Sequence, residues 1–90
     1  MSRMQQILAV LETEFQPLLL NLRDDSHHHA GHVGARPEGE THFHLEMRSP
    51  LFSRKTRLQR HRMVMNTLKP LLGEGLHALS MTLYSPEEQT

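Results

Sequence analysis

The sequence predicts one small α+β domain whose elements run helix, strand, strand, helix, strand. Apolar residues recur every three or four positions in two segments and every second position in three others. A helix between the second and third strands permits a right-handed parallel crossover. We therefore expect a mixed three-stranded sheet with the helices on one face. The single domain spans residues 1–90, with an ordered core of about residues 2–85 and a polar tail at residues 86–90.

The first helix and strand lie within the first quarter of the chain. Ser2 is a candidate N-cap, and Pro17 should close the helix. The next segment, residues 18–23, alternates as a strand with three leucines on one face. The apolar stripe of the helix consists of Met4, Ile7, Leu8, Leu11 and Phe15, and the leucines of the strand are Leu18, Leu20 and Leu22.

A long loop and a second strand follow. Residues 26–40 are rich in glycine and contain four histidines, and loops of this length are often functional. Residues 41–48 then alternate, which predicts a half-buried strand that pairs antiparallel with the first. Its inward residues are Phe43, Leu45 and Met47, and His42 and His44 on the other face are expected to be solvent-facing or hydrogen-bonded.

Two capping patterns precede the second helix, one for a short turn and one for the helix itself. Ser49 followed by Pro50 predicts a short helical turn, and Thr56 with Gln59 has the spacing of a capping box. Pro70 should end or kink the helix. One face would carry Leu58, His61, Val64, Met65, Leu68 and Leu72. Its position mid-stripe gives His61 a structural, hydrogen-bonded role.

The last strand is predicted over residues 76–84. His77, Leu79, Met81 and Leu83 share one of its faces. By this pattern alone, His77 is a capping or core residue at the entry to an apolar row.

Composition narrows the function. The chain has no cysteine, which excludes a thiol nucleophile, a thiolate zinc site and a self-contained thiolate-held iron–sulfur cluster. The absence of cysteine fits a cytoplasmic protein. No apolar run approaches the roughly 20 residues that span a bilayer. Ten basic and ten acidic residues cancel, so no general affinity for nucleic acid is indicated. Eight histidines stand out, because neutral histidine is a common metal ligand.

Three sequence phrases together resemble the BolA-like proteins. Gly-Glu-Thr-His-Phe at residues 39–43, Arg-His-Arg-Met-Val at residues 60–64 and Leu-His-Ala-Leu-Ser at residues 76–80 occur in the same order and at similar spacing in that family. The stretch at residues 25–32 is similar to that of bacterial members, and the resemblance covers roughly residues 4 to 85.

The resemblance implies a fold, a partner and a cofactor. The fold would be similar to a type II K-homology (KH) domain. BolA-like proteins form heterodimers with monothiol glutaredoxins and share a [2Fe-2S] cluster, to which glutaredoxin and glutathione contribute thiolates. Such a protein would serve iron–sulfur trafficking and maturation or iron homeostasis, and some members are described as DNA-binding regulators in stress responses. The free chain would be a monomer or weak homodimer.

Two histidines match the positions that the resemblance assigns to the cluster. His77 matches the family's invariant ligand. His29 in the long loop is the best match for the second ligand, with His32 or His28 as substitutes. Rieske-type centres show that histidine can replace thiolate on one iron of such a cluster, so a chain without cysteine could complete a cluster that another protein holds. The ligand must be the neutral imidazole, which makes binding weaken as pH falls.

Three other features of the sequence indicate no function of their own. His27, His29 and His32 could bind zinc adventitiously, but nothing in a loop preorganises them. Gly31 and Gly34 match the Gly-x-x-Gly pattern by coincidence, because they lie between two strands. Neither a phosphate-binding glycine loop nor a nucleophile–base arrangement is recognisable, so no enzymatic activity is expected.

A basic cluster supports the alternative function, a DNA-binding transcriptional regulator. It surrounds the start of the second helix and could be a solvated helix start, a docking surface for an acidic partner or a nucleic-acid contact. The cluster consists of Arg54, Lys55, Arg57, Arg60 and Arg62. Two residues depart from the family pattern: Arg54 stands where a glycine is usual, and Pro70, toward the end of the second helix, interrupts a helix that continues in many relatives.

Overall fold

The computed structural model describes residues 2–24, 42–73 and 79–88. Within them the elements follow the predicted order and form an α+β domain. The predicted loop at residues 26–40 and the first residues of the last predicted strand lie outside the described residues. The elements are α1 (Arg3–Phe15), β1 (Leu19–Asp24), β2 (Phe43–Arg48), a 3-10 turn (Pro50–Phe52), α2 (Arg57–Leu72) and β3 (Leu79–Tyr84).

The three strands form one mixed sheet in the order β1-β2-β3. β1 pairs with β2 antiparallel, and β2 pairs with β3 parallel, as the crossover argument predicted. At one end of the sheet, the row Asp24–Phe43–Leu79 aligns the last residue of β1 with the first residues of β2 and β3. We call this the Phe43 end. The opposite end is the Arg48 end.

Side-chain caps fix where the helices begin. The hydroxyl of Ser2 accepts from the backbone N–H of Gln5 at 3.1 Å, and the Gln5 side chain accepts from the Ser2 N–H at 3.0 Å. Thr56 and Gln59 form the same reciprocal pair before α2, at 3.1 and 2.8 Å. Each box satisfies two backbone N–H groups that have no partner inside the helix. The predicted starts of both helices are therefore confirmed.

The hydrophobic core lies between the two helices and the inner face of the sheet. Phe43, Leu45 and Met47 of β2 are buried, as their alternation predicted. The prediction for Leu18 is wrong, because this residue precedes the strand and is 66% exposed. The other buried apolar residues are Ile7, Leu11, Phe15, Phe52, Val64, Leu68 and Leu79.

The buried stripe of α2 differs from the predicted one. Val64 and Leu68 are buried as expected, but Leu58 is 56% exposed and His61 is exposed. Arg60 takes the inward position in the first turn, where it is 7% exposed. Hydropathy predicts that Leu58 faces inward. The buried residues Val64 and Leu68 instead continue the four-residue spacing that begins at Arg60, so Arg60 faces inward. The structural role predicted for His61 in the core is therefore wrong.

Pro70 does not end α2. The helix continues for two residues to Leu72, and Gly73 follows with a positive φ of 55°. Pro70 lies in the last turn, so its missing N–H removes one hydrogen bond near the end of the helix rather than in its middle. The N–H of Gly73 still donates to the carbonyl of Lys69. Among the helices in the described part of the chain, none is long and apolar enough to cross a membrane.

Candidate functional site

The histidines that the sequence favoured as ligands lie outside the described residues. These are His77 and His29, with the substitutes His28 and His32, and also His27. The structure does describe the residues that flank their two segments, residues 25–41 and 74–78.

Both segments join the sheet at its Phe43 end. The first segment leaves β1 after Asp24 and leads into β2 just before Phe43. The second segment leads into β3 at Leu79. Asp24 and Leu79 are the two neighbours of Phe43 across the sheet, so they are separated by a single strand. Adjacent strands lie about 4.8 Å apart, which brings the two points of attachment to within about 10 Å.

Two further histidines are described near this end. His44 is partly buried on the outer face of the sheet, and its Nδ1 lies 2.8 Å from Oγ of Ser80. Of the two alternatives expected for this residue, solvent-facing or hydrogen-bonded, the structure shows the second. The exposed His42 immediately precedes β2. Among residues 2–24, 42–73 and 79–88, no three histidine or acidic side chains are grouped so that they could hold a metal ion.

The outer face of the sheet is polar across all three strands. Asn21 of β1 donates through Nδ2 to Oε1 of Glu46 on β2 at 3.1 Å. At the Arg48 end, the guanidinium of Arg48 lies 5.4 Å from the ring centroid of Tyr84. Such cross-strand pairs stabilise the strand register. This face bears polar contacts, while the opposite face carries the core.

The predicted basic cluster is divided in the structure. Arg54, Lys55, Arg57 and Arg62 are exposed around the joint between the 3-10 turn and α2. Arg60 belongs to the core side, and its Nη1 donates to the carbonyl of Leu83 at 3.1 Å and to Oε1 of Glu88. Arg60 is therefore not part of the exposed basic surface, and the interpretation of the whole cluster as solvated is wrong at this position.

Glu88 anchors the end of the described chain to this arginine. Its Oε1 also accepts from the backbone N–H of Ser85 at 2.8 Å. The hydrogen bonds from Ser85 and then the bond and charge of Arg60 lower the pKa of the Glu88 carboxyl to about 2. Sequence patterns gave no signal for this contact, because Arg60 and Glu88 are 28 residues apart and hydropathy does not predict that a charged residue faces inward.

Arg54 adopts the left-handed backbone conformation, with a φ of 64°. This is the residue at which the resemblance to the BolA-like proteins implies glycine. Glycine adopts positive φ without a steric penalty, whereas an L-residue pays for its Cβ. The departure seen in the sequence therefore places an arginine in a backbone conformation that suits glycine.

The sequence also matches the model of a known protein family. The model of the family described as BolA-like protein covers residues 11–88. The chain belongs to the BolA-like protein family. The resemblance on which the sequence analysis relied is thereby confirmed, and the match includes both histidine segments as well as Arg60 and Glu88.

Relatives of this BolA-like chain carry different names. It is 41% identical over 97% of its length to SufE-like protein 1, chloroplastic/mitochondrial, of Arabidopsis thaliana, but it spans only 24% of that protein. It is 34% identical to the DNA-binding transcriptional regulator BolA of Haemophilus influenzae, over 98% of this chain and 82% of that protein. The chain thus spans about a quarter of the first relative and most of the second.

The fold agrees with a solved structure of the family. The BolA domain of SufE1 from Arabidopsis thaliana superimposes with a TM-score of 0.83 at 40% identity, and the match covers 99% of this chain and 98% of that domain. The two helices and mixed sheet of this BolA-like chain are therefore those of the family.

Proposed function

We propose that this BolA-like chain is a non-enzymatic adaptor that binds a monothiol glutaredoxin and co-ligates a bridging [2Fe-2S] cluster. His77 is the first ligand, and His29 is the second, with His32 or His28 as substitutes. The adaptor serves iron–sulfur cluster trafficking and maturation or iron homeostasis in the cytoplasm. It acts as a heterodimer with glutaredoxin, and the free chain is a monomer or weak homodimer.

The observation that carries the proposal is the common attachment of the two histidine segments to the Phe43 end of the sheet. His77 lies two residues before Leu79 in the sequence, and His29 lies five residues after Asp24. Asp24 and Leu79 flank Phe43 in one row of the sheet. Ligands for one cluster must come from neighbouring points, and the neighbouring attachment of two segments far apart in sequence supports the proposal.

The donor atoms of the chain also favour a shared cluster. The chain offers histidine nitrogen and no thiolate, and the described residues contain no group of three possible metal ligands. Iron–sulfur clusters are held mainly by cysteine thiolates, and histidine replaces them on one iron at most in Rieske-type centres. The partner and glutathione would supply the thiolates, and the cluster would supply electron-transfer or iron–sulfur donor chemistry when bound.

Anaerobic reconstitution tests partner dependence. The chain is incubated with iron, sulfide and glutathione, with and without a monothiol glutaredoxin, and the products are separated by size. We expect no cluster on the chain alone, and in the heterodimer a cluster whose visible absorption and circular dichroism differ from those of glutaredoxin without this chain. A stable cluster on the chain alone, or a glutaredoxin cluster whose spectrum is unchanged when this chain is added, would contradict the proposal.

A second candidate function is DNA binding at the exposed basic residues. Arg54, Lys55, Arg57 and Arg62 surround the joint before α2. A relative that matches most of this chain is named a DNA-binding transcriptional regulator. The structure removes Arg60 from this surface, since its guanidinium is paired with Glu88.

Salt dependence tests this second candidate. Neutralising both Arg57 and Arg62 should weaken binding to duplex DNA and reduce the dependence of affinity on salt by about two phosphate contacts. Arg60 is unsuitable for this test, because its substitution would disturb the fold. Affinity that is unchanged in the double variant, or too weak to measure at moderate salt, would exclude this surface as a DNA-binding site.

A further inference from the structure

We propose that the cleft between α2 and the free edge of β3 binds an extended acidic peptide segment of a partner protein. The cleft has a volume of about 300 Å³, and it is lined by Arg57, Arg60 and His61 on one side, by residues 81–84 of β3 on the other, and by Glu88. This volume lies at the lower limit of ligand pockets. The cleft is lined by residues of β3 toward the Arg48 end, and neither Asp24 nor Leu79, the described attachment points of the histidine segments, lines it. The inference therefore does not depend on the cluster.

β3 directs backbone groups toward this cleft, and one of them is already bonded to Arg60. The carbonyl of Tyr84 accepts from the N–H of Ser49 and so faces the β2 side. The carbonyl of Leu83 instead accepts from Arg60, across the free edge. Successive residues of a strand direct their backbone groups to opposite edges, so the groups of Met81 also face outward. Within the described residues no strand lies beyond β3, and such an edge can pair with an added strand.

The charges that line the cleft favour an acidic occupant. Arg57 is exposed on its rim. Arg60 already binds the carboxylate of Glu88, so the α2 side of the cleft contains one ion pair of the kind that an acidic peptide would form. Since Arg60 and Glu88 compensate each other, Arg57 remains as a positive charge in the cleft that the outward backbone groups of Met81 also line, and no described strand pairs with those groups. An extended peptide with an acidic residue at every second position could pair with β3 and direct its carboxylates toward α2.

A peptide fits this cleft better than a nucleic acid. The outward N–H and carbonyl of Met81 and the outward N–H of Leu83 match the donors and acceptors of another peptide backbone. Nucleic-acid binding depends instead on several cations that neutralise phosphates, and Arg57 is the one exposed arginine among the described lining residues. Arg62 is also exposed on α2 but does not line the cleft, so it provides a matched control.

The test uses the full chain labelled with ¹⁵N and a blocked hexapeptide of alternating glutamate and valine. Nuclear magnetic resonance should show saturable shifts of the amides of Met81, Leu83 and Arg57. Arg57→Ala should weaken binding about fivefold, while Arg62→Ala should leave it unchanged. A peptide N-methylated at alternate backbone nitrogens should bind about tenfold more weakly because it loses the strand pairing. A lysine–valine peptide should not bind.

Several results would overturn the inference. These are the absence of saturable shifts on β3, equal affinity of the N-methylated peptide, and equal losses in Arg57→Ala and Arg62→Ala. Tighter binding of single-stranded oligothymidylate to the same amides would assign the cleft to nucleic acid. A concentration-dependent dimer in sedimentation, with the shifts at Met81 present in the absence of peptide, would assign the edge to a second copy of the chain.

Discussion

The guanidinium of Arg60 binds the carboxylate of Glu88 and thereby joins α2 to the turn that follows β3. The Arg60 side chain is 9% exposed, and Nη1 also holds the carbonyl of Leu83. The backbone N–H of Ser85 donates to the same carboxylate oxygen of Glu88. One arginine therefore provides a donor for a backbone carbonyl near the end of β3 and holds the turn through which the chain leaves the sheet.

The Glu88 contact predicts a dependence of stability on pH. Its pKa is about 2 in the folded chain against 4.5 for the free group, because the bonds from Ser85 and Arg60 favour the ionised carboxyl. A lowered folded pKa gives a contribution to stability that is complete above pH 4.5 and is lost as pH falls toward 2.

Urea denaturation of the wild type and Glu88→Gln over this pH range checks the prediction. The glutamine variant should be less stable at neutral pH, and the difference should shrink as pH falls from 4.5 toward 2. Glu87→Gln is the matched control for the loss of one carboxylate from the same turn. A difference between Glu88→Gln and the wild type that stays constant through this window would contradict the account.

Arg60 should matter for stability, and Arg62 should not. Arg60→Ala removes the donor to the Leu83 carbonyl and the packing of a buried stem, which costs about 1–3 kcal/mol. Arg62→Ala, on the exposed face of the same helix, should change the free energy of unfolding by less than about 0.5 kcal/mol. Equal effects in urea denaturation would mean that the burial of Arg60 contributes no stability.

Replacement of Arg54 by glycine should stabilise the chain. The φ of 64° costs an L-residue about 1–2 kcal/mol, and part of this gain is offset by the greater entropy of glycine in the unfolded chain. We expect a net gain of about 0.5–1 kcal/mol in urea denaturation. Lys55→Gly at the next position, without a positive φ, should lose about 0.4–1 kcal/mol. A less stable Arg54→Gly variant would show that arginine makes a compensating contact.

Two leucines on α2 separate the observed stripe from the predicted one. Leu68 is fully buried, so Leu68→Ala should cost about 2–5 kcal/mol through lost burial and the remaining cavity. Leu58 is 56% exposed, and Leu58→Ala should change stability by less than about 0.5 kcal/mol. Thermal unfolding of both variants measures the difference. A large loss in Leu58→Ala would support the stripe read from the sequence.

Local signals predicted much of this fold, and long-range contacts account for what they missed. The alternation of β2 and the capping boxes of Ser2 and Thr56 depend on residues only a few positions apart. The prediction of the inward-facing residue in the first turn of α2 was wrong, because hydropathy ranks leucine above arginine as a core residue. Arg60 is buried there because Leu83 and Glu88, both remote in sequence, accept its hydrogen bonds.

The candidate site residues, unlike the fold, were predicted from the family resemblance and not from periodic patterns. The resemblance to the family named His77 and His29, which no periodic pattern singles out as ligands. The structure adds the alignment of Asp24, Phe43 and Leu79. Sequence spacing could not predict that alignment, because it depends on strand register across a long loop and a helical crossover.

The most direct test of the proposed function compares His77→Ala with His61→Ala in the reconstituted complex with glutaredoxin. His61 is exposed on α2, away from the Phe43 end, and controls for the loss of a histidine. We predict that His77→Ala changes the visible absorption and circular dichroism of the cluster and shortens its lifetime, whereas His61→Ala does not. A His77→Ala complex whose cluster spectrum and lifetime equal those of the wild type would contradict the assignment of His77 as a ligand.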